Sequence, residues 1–196
     1  MKSLVVIAPS SNPQFETVVQ AAARAAVAAL EAKGHDVTLV DLKGFSPVLT
    51  RLERRAYETE HPLVDEVVTR HAASVRATDA LVFVYATSLA GLPAELKGWL
   101  DRVLVPGVSF ILDDSRRVRR GLTHLDHLVG IAVYEATWLN TKRARDPGRR
   151  IIMRVLRGCG RLTLRTSWLP LYSTARADDV KVQQFVRRIE QGMAKL

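Results

Sequence analysis

A single cysteine, Cys159, stands among the 196 residues. One thiol excludes a disulfide framework and any zinc or iron–sulfur site built on cysteines. Long apolar runs are missing too, and none approaches the roughly 18 residues of a membrane-spanning helix. Residues 1–8 carry only Lys2 before a short apolar run and a turn, too little for a secretory signal, so a cytoplasmic, reducing setting is expected. The first loop, residues 9–17, has no glycine. Neither G-x-G-x-x-G nor a Walker-type loop is present, and the Rossmann dinucleotide and P-loop readings lose their main support. The five histidines, His35, His61, His71, His124 and His127, are scattered, and no acid pair accompanies His124 and His127. No metal site is expected. Cys159 lacks a His/Asp constellation, so no catalytic thiol is expected either.

What remains is an ordinary globular composition, with 47% apolar and 25% charged residues. That is enough to bury one core, and a single domain over residues 1–196 is expected. The net charge of +9 is unevenly placed. Residues 116–165 hold 13 basic residues against three acids (Asp126, Glu135 and Asp146), a balance of +10, which leaves −1 for the rest of the chain. This stretch reads as an anion-binding face or as a solvated arginine-rich surface. Without a binding motif or interleaved aromatics, nucleic acid is not the expected partner.

Hydrophobic patterning alternates between the two regular periods. Strands are expected at residues 3–8 (SLVVIA), 36–42, 79–86, 127–134 and 162–171. Helices are expected at 15–33, 50–58, 63–76, 93–104, 149–157 and 178–195. Asp113 and Asp114 end a short strand and read as a turn. The run DALVFVYA, residues 79–86, is apolar throughout, as a central strand covered on both faces must be. Alternating strands and helices give an α/β doubly wound sheet, whose ligands bind beyond the carboxyl ends of the strands where strand order reverses.

That rule selects three loops. In residues 9–17, Ser10, Ser11, Asn12, Phe15 and Thr17 lead into a helix N-terminus, where amides and the helix dipole favour a phosphate. A plain helix cap by Ser11 or Asn12 fits as well, and Glu16 opposes a phosphate if its carboxylate faces the loop. In residues 87–92, the small residues Thr87, Ser88, Leu89 and Ala90 precede Gly91, so the backbone can approach a flat heterocycle; an ordinary strand-to-helix turn fits equally. In residues 135–145, the run Glu135, Ala136, Thr137 follows Tyr134 and precedes Trp138. Tyr134 offers a phenol and Trp138 a stacking face near a ligand, or both simply pack. Arg143, Arg145, Arg149 and Arg150 suit the 2′-phosphate of NADPH, or merely a solvated surface.

The stretch GLPAELKGWLDRV, residues 91–103, continuing Val105-Pro106-Gly107-Val108-Ser109-Phe110, resembles the flavodoxin-like NAD(P)H:quinone oxidoreductases. These include the ancillary oxidoreductases of bacterial potassium-efflux systems. Asp41, Phe45, Pro47, Val48 and Leu49 extend the resemblance, as do residues 146–157 and the last helix. It implies a three-layer α/β/α sandwich with a five-stranded parallel sheet in the order 2-1-3-4-5. It also implies a homodimer, FMN or FAD at the carboxyl edge held by the three loops, NAD(P)H as hydride donor and a quinone-like acceptor. The flavin carries the redox chemistry. The loops differ from the family pattern. There is no histidine in the first loop, no tryptophan after the central strand, and Glu135 stands where glycine is usual. These departures motivate an alternative, a flavin-free binding or regulatory subunit whose arginine-rich face meets a protein partner such as a membrane protein.

Overall fold

Each central strand is apolar on both faces, and the reason is visible in the layers that cover it. In strand β1 (Lys2–Ala8), Leu4, Val6 and Ala8 face one layer while Val5 and Ile7 face the other. Strand β3 (Ala80–Ala86) divides in the same way, with Leu81, Phe83 and Tyr85 opposite Val82 and Val84. Helix α1 (Pro13–Ala32) and the last helix, α8 (Asp179–Met193), pack together over Val5, Val82 and Val129. On the other face lie α3 (Glu66–Ala77) and α4 (Ala94–Val103), with Trp99 and Leu96 fully buried. Each such side chain contributes roughly 1.5–3 kcal/mol on burial, so the two-faced pattern of the strands requires two helical layers.

The computed structural model describes residues 1–57, 59, 61–113, 115 and 117–196. Its main sheet has five parallel strands. Strand β2 (Asp36–Asp41) pairs with β1, β1 with β3, β3 with β6 (His127–Val133), and β6 with β7 (Arg165–Leu171). Counted within this sheet the order is 2-1-3-4-5, as expected. The strands β4 (Phe110–Leu112) and β5 (Val118–Arg120) form a separate antiparallel hairpin, so only part of the expected short strand before Asp113 was legible. Asp114 and Arg116 lie outside the described residues.

Helix α1 starts where Asn12 caps it, Pro13 fits the first turn, and Gly34 follows its end at φ +78°. The expected helix 50–58 is α2 (Arg51–Ala56), opened by a capping box between Thr50 and Glu53; Glu58 lies outside the described residues. Two features were not anticipated. A short helix α5 (Trp138–Arg143) forms within the third loop, and the helix expected at 149–157 is divided into α6 (Pro147–Arg150), a π-helical segment Ile151–Leu156, and α7 (Arg157–Cys159). The last strand begins three residues later than expected. Among the described residues no helix is long and apolar enough to cross a membrane.

Candidate functional site

Three strand ends stand side by side. Ala8 pairs in register with Tyr85, and Tyr85 with Ala132, so the loops after β1, β3 and β6 leave the sheet on strands about 4.8 Å apart. Strand β1 lies between β2 and β3, which makes its carboxyl end the point where strand order reverses.

The first loop is organised by its own side chains. Asn12 Oδ1 accepts from the Gln14 amide at 3.0 Å and Ser10 Oγ from the Asn12 amide at 3.2 Å, while Thr17 Oγ1 donates to Pro13 O at 3.0 Å. Glu16 turns back, and its Oε2 accepts from the Ser10 amide at 2.6 Å while Oε1 accepts from Gln20 Nε2 at 2.9 Å. The chain's own carboxylate therefore sits on an amide of the loop expected to hold a phosphate. Ser11 is exposed and makes no hydrogen bond among the described residues. Phe15 points away, into the core beneath α1.

The second loop is a tight turn without glycine at its tip. Ser88 and Gly91 exchange both backbone hydrogen bonds, at 3.2 and 2.8 Å, around Leu89 at φ 45° and Ala90 at φ 61°. Two successive left-handed residues are the signature of a type I′ turn, which Asn-Gly normally supplies, and holding them costs on the order of 1 kcal/mol each. Leu89 is fully exposed at its tip. At the base, the Thr87 amide donates to Val133 O at 2.9 Å.

The third loop has its carbonyls fixed and its amides free. Tyr134 O accepts from the Thr174 amide and hydroxyl, both at 3.0 Å, and Ala136 O accepts from the Ser173 amide at 3.1 Å. Among the described residues the Glu135 and Ala136 amides donate to nothing. The Glu135 side chain is exposed. Thr137 caps α5 through the Asn140 amide at 3.3 Å.

Tyr134 does not present its phenol to solvent. It is 1% exposed, donates to Asp146 Oδ2 at 2.7 Å, and stacks on Tyr172 with centroids 4.8 Å apart. Asp146 is buried at φ 40°, and its other oxygen accepts from the Arg149 amide at 3.1 Å, starting α6. Burial raises the Tyr134 and Tyr85 phenols, and for Tyr134 the donated bond and for both the nearby Asp146 charge push the same way. Tyr85 Oη and Trp168 Nε1 are buried without a partner among the described residues. A Cβ on Gly148 would lie 3.1 Å from Tyr85 Oη, so this glycine lets α6 close over the ring.

Beside this loop opens a cleft of ≈ 510 Å³. Trp138 and Tyr172 line it, as do Lys142, Arg145, Arg149, Arg150, Arg154 and Arg157, with Asp146 as the acid on its wall. Of the expected site residues, Trp138, Arg145, Arg149 and Arg150 line this cleft. The residues of the first two loops and Glu135, Ala136 and Thr137 lie at the sheet edge instead, and Arg143 lines neither. Asp146, Tyr172 and Tyr85 were not singled out. Tyr172 was open to inference, because it follows the carboxyl end of the last strand; the Tyr134–Asp146 bond joins residues twelve apart through a left-handed backbone and leaves no pattern. Among the described residues no group of three histidine, cysteine or acidic side chains is placed to hold a metal ion.

A search by sequence matches residues 1–133 to the family described as having a flavodoxin-like fold. A guinea-pig (Cavia porcellus) protein, NAD(P)H dehydrogenase [quinone] 1, is 30% identical over 127 residues, which are 56% of this chain and 45% of that protein. The chain thus spans less than half of the curated relative it matches. Among solved structures, an NAD(P)H:quinone oxidoreductase of Methanothermobacter marburgensis superposes with a TM-score of 0.78 at 22% identity, covering 100% of this chain and 96% of that one. An FMN-dependent NADH-azoreductase of Bacillus anthracis, solved with FMN, gives 0.76 at 13% identity, covering 99% and 98%. At these identities the structural likeness establishes the fold.

Proposed function

This chain belongs to the flavodoxin-like fold family, and from that premise we propose that it is a flavin-dependent NAD(P)H oxidoreductase acting on a quinone or similar acceptor. The observation that carries the reading is the cluster of three loops beyond the carboxyl ends of β1, β3 and β6. The two side chains best placed to fill it, Leu89 and Glu135, are both exposed, and the Glu135 and Ala136 amides are unspent. Main-chain donors of this kind suit the polar rim of a flat ring system. The related quinone dehydrogenase and the FMN-bound azoreductase support the same assignment.

The residues present fit a flavin ring better than a flavin phosphate. Among the described residues the Leu89 and Ala90 amides of the second loop and the Glu135 and Ala136 amides of the third donate to nothing, so these are the backbone donors left for a ring, whereas the Thr87 and Ser88 amides are taken by Val133 O and Gly91 O. The first loop has its Ser10 amide taken by Glu16. A bound flavin supplies the two-electron chemistry, accepting hydride from NAD(P)H and passing it on. The protein's own part is positional. Asp146 holds Tyr134, Ser173 and Thr174 hold the third loop's carbonyls, and the Glu135 and Ala136 amides, which donate to nothing among the described residues, remain available to negative charge. A homodimer, completing the acceptor site from a second copy, belongs to this proposal.

Titration of the purified chain with FMN and FAD, read by quenching of flavin fluorescence, tests the binding step. NAD(P)H oxidation with a soluble quinone tests the activity. A second reading has one observation in its favour: the Glu16 carboxylate on the Ser10 amide replaces an external anion, as a flavin-free binding subunit would allow. Retention of a protein partner by chain that neither quenches FMN and FAD nor oxidises NAD(P)H supports that reading over the first.

A further inference from the structure

We propose that the cleft between α5, the helix from Pro147 to Cys159 and Tyr172 binds an organic phosphate carrying at least two phosphoryl groups. We infer further that it selects 2′-phosphorylated NADPH over NADH. The second part rests on the redox reading above, and the first does not.

Six cations line the cleft, Lys142, Arg145, Arg149, Arg150, Arg154 and Arg157. None forms an ion pair among the described residues, although the chain pairs Lys97, Arg102, Arg119 and Arg161 elsewhere. The one acid on the wall, Asp146, already accepts from Tyr134 and from the Arg149 amide. Six cations thus line one concave space with a single acid, Asp146, among the described lining residues. Such crowding is unfavourable unless an anion enters, and a concavity of one sign concentrates the field on it.

The geometry favours phosphates over a single small anion. Arg150, Arg154 and Arg157 all line the cleft from successive turns of the segment Pro147–Cys159. Cations contributed from several turns suit charges distributed along a ligand. Guanidinium forks bind phosphate oxygens in pairs. The walls add an aromatic component. Trp138 is 55% exposed with Lys142 Nζ 4.9 Å from its ring centroid, and Tyr172 lies opposite, stacked on Tyr134. An adenine ring has a surface here to pack on, and the volume, ≈ 510 Å³, is that of a ligand cleft. The cleft also abuts the third loop through Trp138 and Asp146, within reach of the proposed redox edge.

The test uses flavin-free protein and adenosine 2′,5′-bisphosphate, followed by tryptophan fluorescence and by calorimetry, with 5′-AMP as the single-phosphate comparison. The bisphosphate is expected to bind at least about tenfold more tightly than AMP, and to weaken as salt rises because exposed charges are screened. Arg154→Gln and Arg157→Gln, both exposed positions, are each expected to weaken it about fivefold or more without moving the thermal midpoint. Trp138→Phe should remove the fluorescence change while calorimetry still reports binding. Equal affinity for bisphosphate and AMP, or full affinity in Arg154→Gln, overturns the site. With flavin added, the ratio of kcat/KM for NADPH to that for NADH should fall in Arg154→Gln; an unchanged ratio overturns the coenzyme assignment. Bisphosphate binding by protein that takes no flavin keeps the cleft and defeats the redox reading, whereas flavin binding without bisphosphate binding does the reverse.

Discussion

Pro47 occupies the space that any side chain on Gly98 would need: a Cβ built on Gly98 lies 2.2 Å from Pro47 Cα and 2.4 Å from Pro47 O. The two residues belong to separate parts of the sequence resemblance, the segment with Pro47-Val48-Leu49 and the helix reading LKGWLDRV. Their contact explains why those parts occur together. Helix α4 carries a gap, and the chain after β2 lies in it. The obstacle is backbone rather than a flexible side-chain end, so overpacking should cost Gly98→Ala at least the usual 1–3 kcal/mol, roughly. Urea denaturation read by circular dichroism checks this through a lowered midpoint.

Arg102, one turn further on, fastens the same segment. It is 6% exposed, donates to Glu53 Oε1 at 2.7 Å and to Ser46 O at 2.8 Å, and lies over the Phe45 ring. Removing one member of a buried pair leaves the other uncompensated, so Arg102→Met is expected to cost about 3–5 kcal/mol, and Arg102→Met with Glu53→Gln less than that. The pair also sets an acid limit. Burial opposes the Glu53 charge, but the Thr50 amide and Arg102 prevail and hold its carboxyl below the usual glutamate range. Its contribution is complete above that range and is lost as pH falls through the lowered value. Denaturation midpoints should drop as pH falls below the usual glutamate range, and drop less in the double variant.

The alkaline side is governed by the tyrosines. Burial raises all four phenols, Tyr57, Tyr85, Tyr134 and Tyr172, and the Asp146 charge adds to three of them. A phenol raised in the fold contributes stability below its unfolded value, near about pH 10, that is lost as pH rises beyond it. Tyrosinate absorbance for Tyr85 and Tyr134 is therefore expected to appear together with loss of the far-UV signal. Ionisation of all four within the intact fold at ordinary phenol pH contradicts this arrangement.

The layered architecture was legible because the strands report their environment directly. Residues 80–86 are apolar at every position, which only a doubly covered strand requires. The start of the last helix was legible at Asp178 for a related reason, since caps are local, whereas the first helix, expected from residue 15, starts two residues earlier at Pro13 with Asn12, one of the two cap candidates, as its cap. Local reasoning stops at the loops. Leu89 and Ala90 adopt the conformation of an Asn-Gly turn with neither residue present, because the Ser88–Gly91 bonds and the strand ends dictate it. Asp146 meets Tyr134 through a backbone turn that no spacing announces. The strongest sequence resemblance, residues 91–103, proves to be a packing device: Trp99 is buried and donates to His71 Nδ1 at 3.2 Å. The cationic cleft was legible as a charge excess along the chain and in Trp138, Arg145, Arg149 and Arg150, which line it, and folding supplied its concavity.

Glu16 is expected to act against phosphate in the first loop. Its carboxylate takes the Ser10 amide at the start of α1, where a negative charge is worth about 0.3–1 kcal/mol, so Glu16→Gln should raise affinity for FMN about two- to fivefold. Riboflavin, which lacks the phosphate, is the comparison, and its affinity should change little. Equal gains for both flavins contradict a role for the carboxylate in excluding phosphate.

The account rests on the proposal that the loops beyond the carboxyl ends of β1, β3 and β6 bind a flavin ring, and the visible absorption spectrum of the protein purified and then incubated with FMN and with FAD tests it most directly. A flavin spectrum that stays with the protein through gel filtration, with fluorescence quenched, is the predicted result. Protein that elutes colourless after incubation with either flavin contradicts the assignment.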